Sequence, residues 1–535
     1  MLILALFIPG SGRAVAAQEP ADRLLEERRA LLRGMQSRGL PGPVTPELET
    51  DLQDEPASVQ EAGPVMMVQR IDVDAQGLLN DGELMAIIEP FLQLPLGRRR
   101  LDLLLRKLDA RLVERGWVTS RVRLLSIDVE SARVLIEVVP GRVARISASG
   151  MAPATVDRVV PVAAGEVLSL EALEQGVRQI NRLRMYQAQV RISPGTAPAT
   201  SLVDITLNGG RPWSVSIGAD NQGARSTGAE RWRLNGRFEN LSGWLDDLQI
   251  GYLHSVRSDA ALASWTIPAG FDLWSATVSA SRSVIGLDGI DLHSRAFTAM
   301  LGWNHVLAIS RERRDAWDVS LACSRLARSV GDTALAEDRS TVLRLAWNRT
   351  AQGDDRPYFV EPSLTFGLPA LGATRDAPGL PPTHTHHEFT KWAFTAGWVV
   401  RIPYGGFDYA GQFSGQYSRA SLIGQEQIHL GGLASVRGFD ESVVSGDSGY
   451  LLRHEIRRAG VTNRNSVTVT PFVHMDHGAV WLVGGPRNSL ASIGTGMRGG
   501  SGGAIWEAGV SVPVQREPDS VRRAWHFHFS VSYEI

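Results

Sequence analysis

The chain has 535 residues, enough for one large domain and one or two smaller ones. A formal net charge of −2 excludes a polybasic nucleic-acid binder or membrane tether, and a hydrophobic content of 43% excludes a disordered chain. Its one cysteine, Cys323, excludes an intramolecular disulfide and with it a small secreted fold stapled by bridges.

Residues 1–17 read as a signal peptide. Leu2 to Ile8 form a short apolar run, Gly10 and Ser11 follow, and Val15-Ala16-Ala17 has the small residues of a cleavage site. The run is too short to cross a bilayer as a helix. Residues 18–36 carry a helix: Leu24, Leu25, Leu31 and Leu32 recur near helical spacing, with Glu26, Glu27, Arg28 and Arg29 between them. Residues 37–64 read as a linker, because Pro41, Pro43, Pro46, Pro56 and Pro64 interrupt an acidic stretch without periodicity.

Residues 65–141 and 142–209 repeat one order of elements, β-α-α-β-β, with a period of roughly seventy residues. In the first unit the spacing predicts a strand at Val68 to Val73 and a helix from Asp81 that stops near Pro90. A second helix from Leu101 places Leu104, Leu105, Leu108 and Leu112 on one face, with Gly116 as its stop. Two strands follow, one carrying Val118, Val122 and Leu124 and the other Val134, Ile136 and Val138. The second unit has a strand at Val143 to Ile146 and a short helix at Thr155 to Val160. Ser169 is the expected N-cap of a helix with Leu170, Leu173, Val177, Ile180 and Leu183. Its closing strands carry Ala188, Val190 and Ile192, then Val203, Ile205 and Leu207.

From about residue 210 to 535 period-two alternation replaces helical spacing. Trp317, Val319, Leu321 and Cys323 share one parity, as do Leu248, Ile250 and Tyr252, and Phe407, Tyr409, Phe413 and Tyr417. At the end Trp525, Phe527, Phe529, Val531, Tyr533 and Ile535 alternate with His526, His528, Ser530, Ser532 and Glu534. Alternation gives a strand one apolar and one polar face, which suits a soluble sandwich with the apolar face inward or a membrane barrel with it outward. After residue 17 no apolar stretch reaches transmembrane-helix length, so a soluble exported protein and a β-barrel both remain. A barrel of this length holds about 16 strands if each strand and its turn takes roughly 20 residues.

Leu430-Gly431-Gly432-Leu433-Ala434-Ser435-Val436-Arg437-Gly438-Phe439-Asp440 sets a lone arginine between glycine sites that allow tight bends. Such an arginine can form a forked pair with a carboxylate, and it can equally be a solvated loop residue. The segment resembles the sixth extracellular loop of the two-partner secretion transporters, whose Val-Arg-Gly-Phe/Tyr signature is matched by Val436, Arg437, Gly438 and Phe439. Gly446 to Tyr450 and Arg453-His454-Glu455 resemble the strand after that loop. The family's second motif, Gly/Phe-x-Asp-x-Gly, is approximated by His474-Met475-Asp476-His477-Gly478, with His474 departing from it. The two repeats resemble POTRA domains, Asp220-Asn221-Gln222-Gly223 resembles the barrel's start, and residues 18–36 match the place of a plug helix.

The resemblance implies a mainly β protein: a transmembrane antiparallel barrel preceded by two α+β POTRA domains and an N-terminal helix. It implies an outer-membrane location, periplasmic capture of an unfolded exoprotein with an N-terminal secretion domain, and export through the barrel. It also implies a pairing of Arg437 with Asp476 on the inner wall, near Gly478. No cofactor, metal or nucleic acid is expected: the chain carries no Walker motif, and His384, His386, His387 and Glu388 fit no zinc spacing. Gly446-Asp447-Ser448-Gly449 resembles a protease nucleophile segment, but no matching histidine segment precedes it, so an enzyme is not expected. Rival readings are a barrel-assembly factor, which usually carries more repeats, a passive porin or receptor, which needs no capture module, and a soluble adhesin.

Overall fold

The structure, a computed structural model, describes residues 55–61, 63–287, 290–310, 312–335, 337–351, 356–458, 460–462, 467–515 and 524–535. The expected signal peptide, the N-terminal helix and most of the linker lie outside the described residues.

The first unit contains β1 (Arg70–Asp74), α1 (Asp81–Ile88), α2 (Arg98–Glu114), β2 (Arg121–Asp128) and β3 (Arg133–Val139). Its central strand β3 runs parallel to β1 and antiparallel to β2. A capping box starts α1: Asn80 Oδ1 accepts from the Glu83 N–H at 2.9 Å, and Glu83 accepts from the Asn80 N–H at 3.1 Å. The second helix starts at Arg98, a turn earlier than Leu101, because the linker's end caps it. Glu61 accepts from the N–H groups of Gly97, Arg99 and Arg100 at 3.0, 3.1 and 2.8 Å. Leu103, Leu104, Leu108 and Leu112 then pack on Val134, Ile136 and Val138, with Leu103 deeper than Leu105. Gly116 ends the helix at φ +85°.

The second unit repeats this arrangement with β4 (Arg142–Ala148), α3 (Pro153–Val159), α4 (Leu170–Asn181), β5 (Tyr186–Pro194) and β6 (Thr200–Gly209). Strand β6 is central, parallel to β4 and antiparallel to β5. Ser169 caps α4 by accepting from the Ala172 N–H at 3.3 Å. Val118 precedes β2 instead of lying within it, and its side chain is buried in the second unit's core beside Leu168 and Leu173. The two units therefore share packing.

Sixteen barrel strands follow among the described residues. The first eight are β7 (Trp213–Asp220), β8 (Arg231–Glu239), β9 (Asp247–Ser255), β10 (Ser258–Ala269), β11 (Asp272–Leu287), β12 (Ile290–Ile309), β13 (Arg313–Val330) and β14 (Asp338–Ala351). The rest are β15 (Tyr358–Gly367), β16 (Thr390–Ile402), β17 (Phe407–Ser418), β18 (Ser448–Arg458), β19 (Thr468–Trp481), β20 (Arg487–Ser501), β21 (Ala504–Gln515) and β22 (His526–Glu534). Neighbours pair antiparallel, and β22 closes the ring on β7 from Ser530 opposite Asp220 to Glu534 opposite Ser216. Closure pairs the strand edges that lipid would leave unsatisfied.

The faces decide between the two readings of alternation. On β22 Phe527 is 49% exposed on the outside and His528 is 8% exposed on the inside. Trp265, Trp274, Trp317 and Trp392 also lie on the outer surface. The inner surface is lined by pairs such as Ser264–Thr277 and Thr298–Ser324, each at 2.9 Å. An apolar outside around a polar lumen is the arrangement of a membrane barrel.

The second unit docks on one rim of this barrel. Gln175 and Gln179 of α4 donate to the Gly270 carbonyl at 3.1 and 3.3 Å, and Glu171 accepts from the Ile309 N–H at 3.1 Å. Arg182 donates to Thr266 Oγ1 at 2.9 Å and lies 3.8 Å from Asp247. Glu239 accepts from the N–H groups of Arg184 and Met185 at 3.0 and 2.7 Å.

Candidate functional site: an inward-folded loop

The turn between β17 and β18 is the sixth on the rim opposite the repeats. A short hairpin, Ile428–Leu430 against Val444–Gly446, forms its stems. Gly431 and Gly432 take φ values of +110° and +91°, open to glycine at little cost, and they turn the chain inward. Leu430, Val436 and Phe439 then pack with Leu451 of β18, Val480 of β19 and Leu490 of β20. Burying these side chains favours the loop inside the lumen over the loop in water.

This packing delivers Arg437 to the wall with 2% of its surface exposed. Its guanidinium grips Asp476 in a fork, Nε to Oδ2 at 2.6 Å and Nη2 to Oδ1 at 2.7 Å, and its backbone N–H adds a bond to Oδ2 at 3.1 Å. Nη1 donates to Glu455 at 3.1 Å. Gly438 sits at φ +93°, and a Cβ there would come within 3.2 Å of Ser511 Cβ and 3.3 Å of Ser492 Cβ. The tip thus lies flat against β20 and β21. Gly478 lies under Leu430: an added Cβ would meet Leu430 Cδ1 at 2.8 Å.

Strand register explains who surrounds the fork. Alternation points Arg453 and Glu455 of β18 and His474 and Asp476 of β19 into the lumen, and pairing sets Arg453 opposite Asp476 and Glu455 opposite His474. On β20 Ser492, Gly494 and Arg498 face Asp476, His474 and Thr470, and Arg498 faces Glu507 of β21. Arg498 holds Glu455 with two bonds of 2.6 and 3.0 Å and Glu507 with one of 2.8 Å. The Phe472 ring underlies both cations, 5.9 Å from Arg437 and 4.2 Å from Arg498. Arg453 lies 3.7 Å from Asp476. Three arginines, 437, 453 and 498, thus interleave with three carboxylates, 455, 476 and 507, and formal charge balances.

Val436, Arg437, Gly438 and Phe439 therefore meet Asp476 and Gly478 in one place. His474, which departs from the motif, occupies the space that Gly494 leaves: its Nε2 bonds Ser511 Oγ at 2.9 Å, and its Nδ1 lies 3.3 Å from Asp476. Sequence reasoning assigned no role to Glu455, Arg498 and Glu507. Their signal was present, as charged residues on the lumen parity of neighbouring strands, but it needed the strand register to become readable.

Other singled-out residues lie elsewhere. Ser448 Oγ accepts from the Ser418 N–H at 3.0 Å and donates to the Ser418 carbonyl at 3.3 Å, in a strand-end contact. His387 lies 3.7 Å from Asp338 and 3.6 Å from Asp376, and His386 Nδ1 is 2.6 Å from the His384 carbonyl. Asp220, in the stretch that opens the barrel, is buried between Arg231 at 2.7 Å and Arg233 at 2.5 Å.

Residues 199–499 match the family model described as haemolysin secretion/activation protein ShlB/FhaC/HecB. Residues 66–141 match a ShlB-type POTRA domain, and residues 142–194 match a POTRA domain. The chain is 30% identical over 471 residues to the outer membrane transporter CdiB of Escherichia coli, covering 84% of this chain and 77% of that protein. It is 26% identical over 395 residues to the hemolysin transporter protein ShlB of Serratia marcescens, covering 71% and 70%. The solved structure of CdiB from Escherichia coli superposes with a TM-score of 0.85 at 26% identity, covering 97% of this chain and 99% of that one. A loop folded into a closed barrel and held by a buried ion pair, two POTRA domains of which the second docks on the rim, and these matches agree: the chain belongs to the ShlB/FhaC/HecB family of haemolysin secretion/activation proteins, the outer-membrane transporters of two-partner secretion.

Proposed function

We propose that the two POTRA domains capture one dedicated exoprotein in the periplasm by its N-terminal secretion domain, and that the sixth loop's tip is the latch that yields as the exoprotein enters the lumen. In this reading residues 1–17 are the signal peptide, 18–36 a plug-like helix, 37–64 a linker, 65–141 and 142–209 the capturing domains, and 210–535 the conduit. Capture by adding the exoprotein's strand to a sheet edge suits an unfolded chain, because main-chain bonds need no folded surface. The observation that carries the latch is the buried fork of Arg437 on Asp476, made by a loop and not by the wall. A pair of this kind has two discrete states, since half of it cannot stay buried alone without cost. Nucleotide hydrolysis has no motif in this chain, so folding of the exoprotein outside supplies the drive.

Comparing culture supernatants from the wild type, a deletion strain and an Arg437→Ala complement tests this. One large exoprotein should vanish on deletion and fall in the complement at normal barrel levels. Loss of many outer-membrane proteins instead, with no secreted protein changed, would make this an assembly factor and overturn dedicated export.

A further inference from the structure

Gly446-Asp447-Ser448-Gly449 has no part in the latch, yet Asp447 is wholly buried. Its Oδ1 accepts from the Leu422 N–H at 2.8 Å, Gln427 Nε2 at 3.0 Å and Ser421 Oγ at 3.4 Å, and its Oδ2 accepts from the Val483 N–H at 2.9 Å. Leu422 and Gln427 belong to the sixth loop's ascending stem, Asp447 to its descending stem, and Val483 to the seventh loop, between β19 and β20.

We propose that Asp447 is the fixed end of the sixth loop: its carboxylate ties both stems to the seventh loop at the outer rim, so that the Arg437 tip leaves its seat while the stems keep their register. The tip's departure rests on the latch reading above; the anchoring of the stems stands on its own geometry.

The flanking residues serve the same attachment. A Cβ at Gly446 would lie 2.7 Å from the Trp481 nitrogen, and one at Gly449 would lie 2.6 Å from the Ala479 carbonyl, so the stem rests backbone-to-backbone on β19. Ser448 ties the stem to Ser418 at the end of β17. The fifth loop joins too, as Thr385 and His386 pair in parallel with Ser421 and Leu422, and Lys391 at the start of β16 reaches Glu426 at 2.5 Å. Tip and stem are held by different physics. The tip is an ion-pair network on the lumen path, open to competition from a passing chain's charges and amides. The Asp447 carboxylate is enclosed at the rim and takes only neutral donors from loop segments, so a passing chain has nothing to exchange with. Both oxygens are in use, one toward the sixth loop and one toward the seventh. An asparagine has one acceptor oxygen and cannot serve both.

Labelling of intact cells with a bulky, membrane-impermeant maleimide tests this in a Cys323→Ser background, with Gln425→Cys reporting on the stem and Ala434→Cys on the tip. Asp447→Asn should raise the stem labelling rate about tenfold, as expected for losing a bond to a charged acceptor. Gln427→Leu, which removes one neutral donor and spares the carboxylate, should raise it less. Arg437→Ala should raise tip labelling and leave the stem unchanged. An unchanged stem rate in both Asp447→Asn and Gln427→Leu barrels of normal heat-modifiable mobility would overturn the proposal. So would equal rises at stem and tip in Arg437→Ala, because the loop would then move as one body. If the tip rate alone fails to rise in Arg437→Ala, the latch falls while the stem result still decides Asp447.

Discussion

Replacing Arg437 by alanine deletes the fork on Asp476 and the bond to Glu455 but keeps the backbone N–H bond of 3.1 Å. Glu455 is left with both bonds from Arg498. Asp476 is left fully buried, with His474 at 3.3 Å and Arg453 at 3.7 Å as its remaining basic neighbours. Removing one partner of a buried pair costs about 3–5 kcal/mol, and these neighbours place the loss at the lower end, about 3 kcal/mol. At about 1.4 kcal/mol per decade, the tip-out population rises roughly a hundredfold. Arg437→Lys keeps the charge but cannot span both Asp476 oxygens and Glu455, so it should fall between alanine and wild type. The assay is exoprotein secreted per folded barrel, with single-channel conductance of the purified protein as the second readout. Arg437→Ala should secrete poorly and conduct more, and adding Asp476→Ala should do little further harm, because the partner left unpaired is then gone. Wild-type secretion and conductance in Arg437→Ala, or full additivity in the double variant, would refute this reasoning.

Four further outcomes follow from contacts in the loop, at the rim and in the first unit. Gly478→Ala should push Leu430 off the wall, since the new Cβ would lie 2.8 Å from Leu430 Cδ1 and 3.0 Å from the Tyr450 carbonyl; overpacking of about 1–3 kcal/mol should appear as faster hydrogen exchange in the sixth loop. Arg182→Ala should loosen the second POTRA domain from the rim by about 1–3 kcal/mol, read as lost exchange protection in α4 of the full chain, with the barrel still closed. Glu61→Ala should cost the first turn of α2 about 1 kcal/mol, read as faster exchange at the Arg99 and Arg100 amides. Glu61 also sets a pH dependence: burial opposes its charge, but the three N–H donors outweigh it and hold its carboxyl below the usual range. Its contribution is present above about pH 4.3 and is lost as pH falls through the depressed folded value, so a carboxyl titration by NMR should give a midpoint below that of an exposed glutamate.

The second half of the chain could be read as strands from alternation alone, because a side-chain period of two is a local property of extended backbone. The paired units could be read from a recurring order of helix and strand signals, and Ser169 from its chemistry as a cap. The capping of α2 was not readable, because Glu61 sits some forty residues before the amides it binds and nothing near Leu101 announces it. Val118 misleads for a similar reason: it alternates like a strand residue but is buried in the neighbouring unit's core.

By itself the sequence determined the element types, the repeat, the Val436 to Phe439 motif and, through resemblance, the family. Only the tertiary structure decided which face of the alternation meets the surroundings, because an apolar stripe reads the same whether it packs inward or faces lipid. Ring closure of β22 on β7 turned the polar face into a lumen. Strand register then brought Glu455, Asp476, Arg498 and Glu507 from four strands into one charge network with Arg437. Electrostatic neighbourhoods of that kind depend on distances across strands, and those distances exist only once neighbouring strands have paired in register.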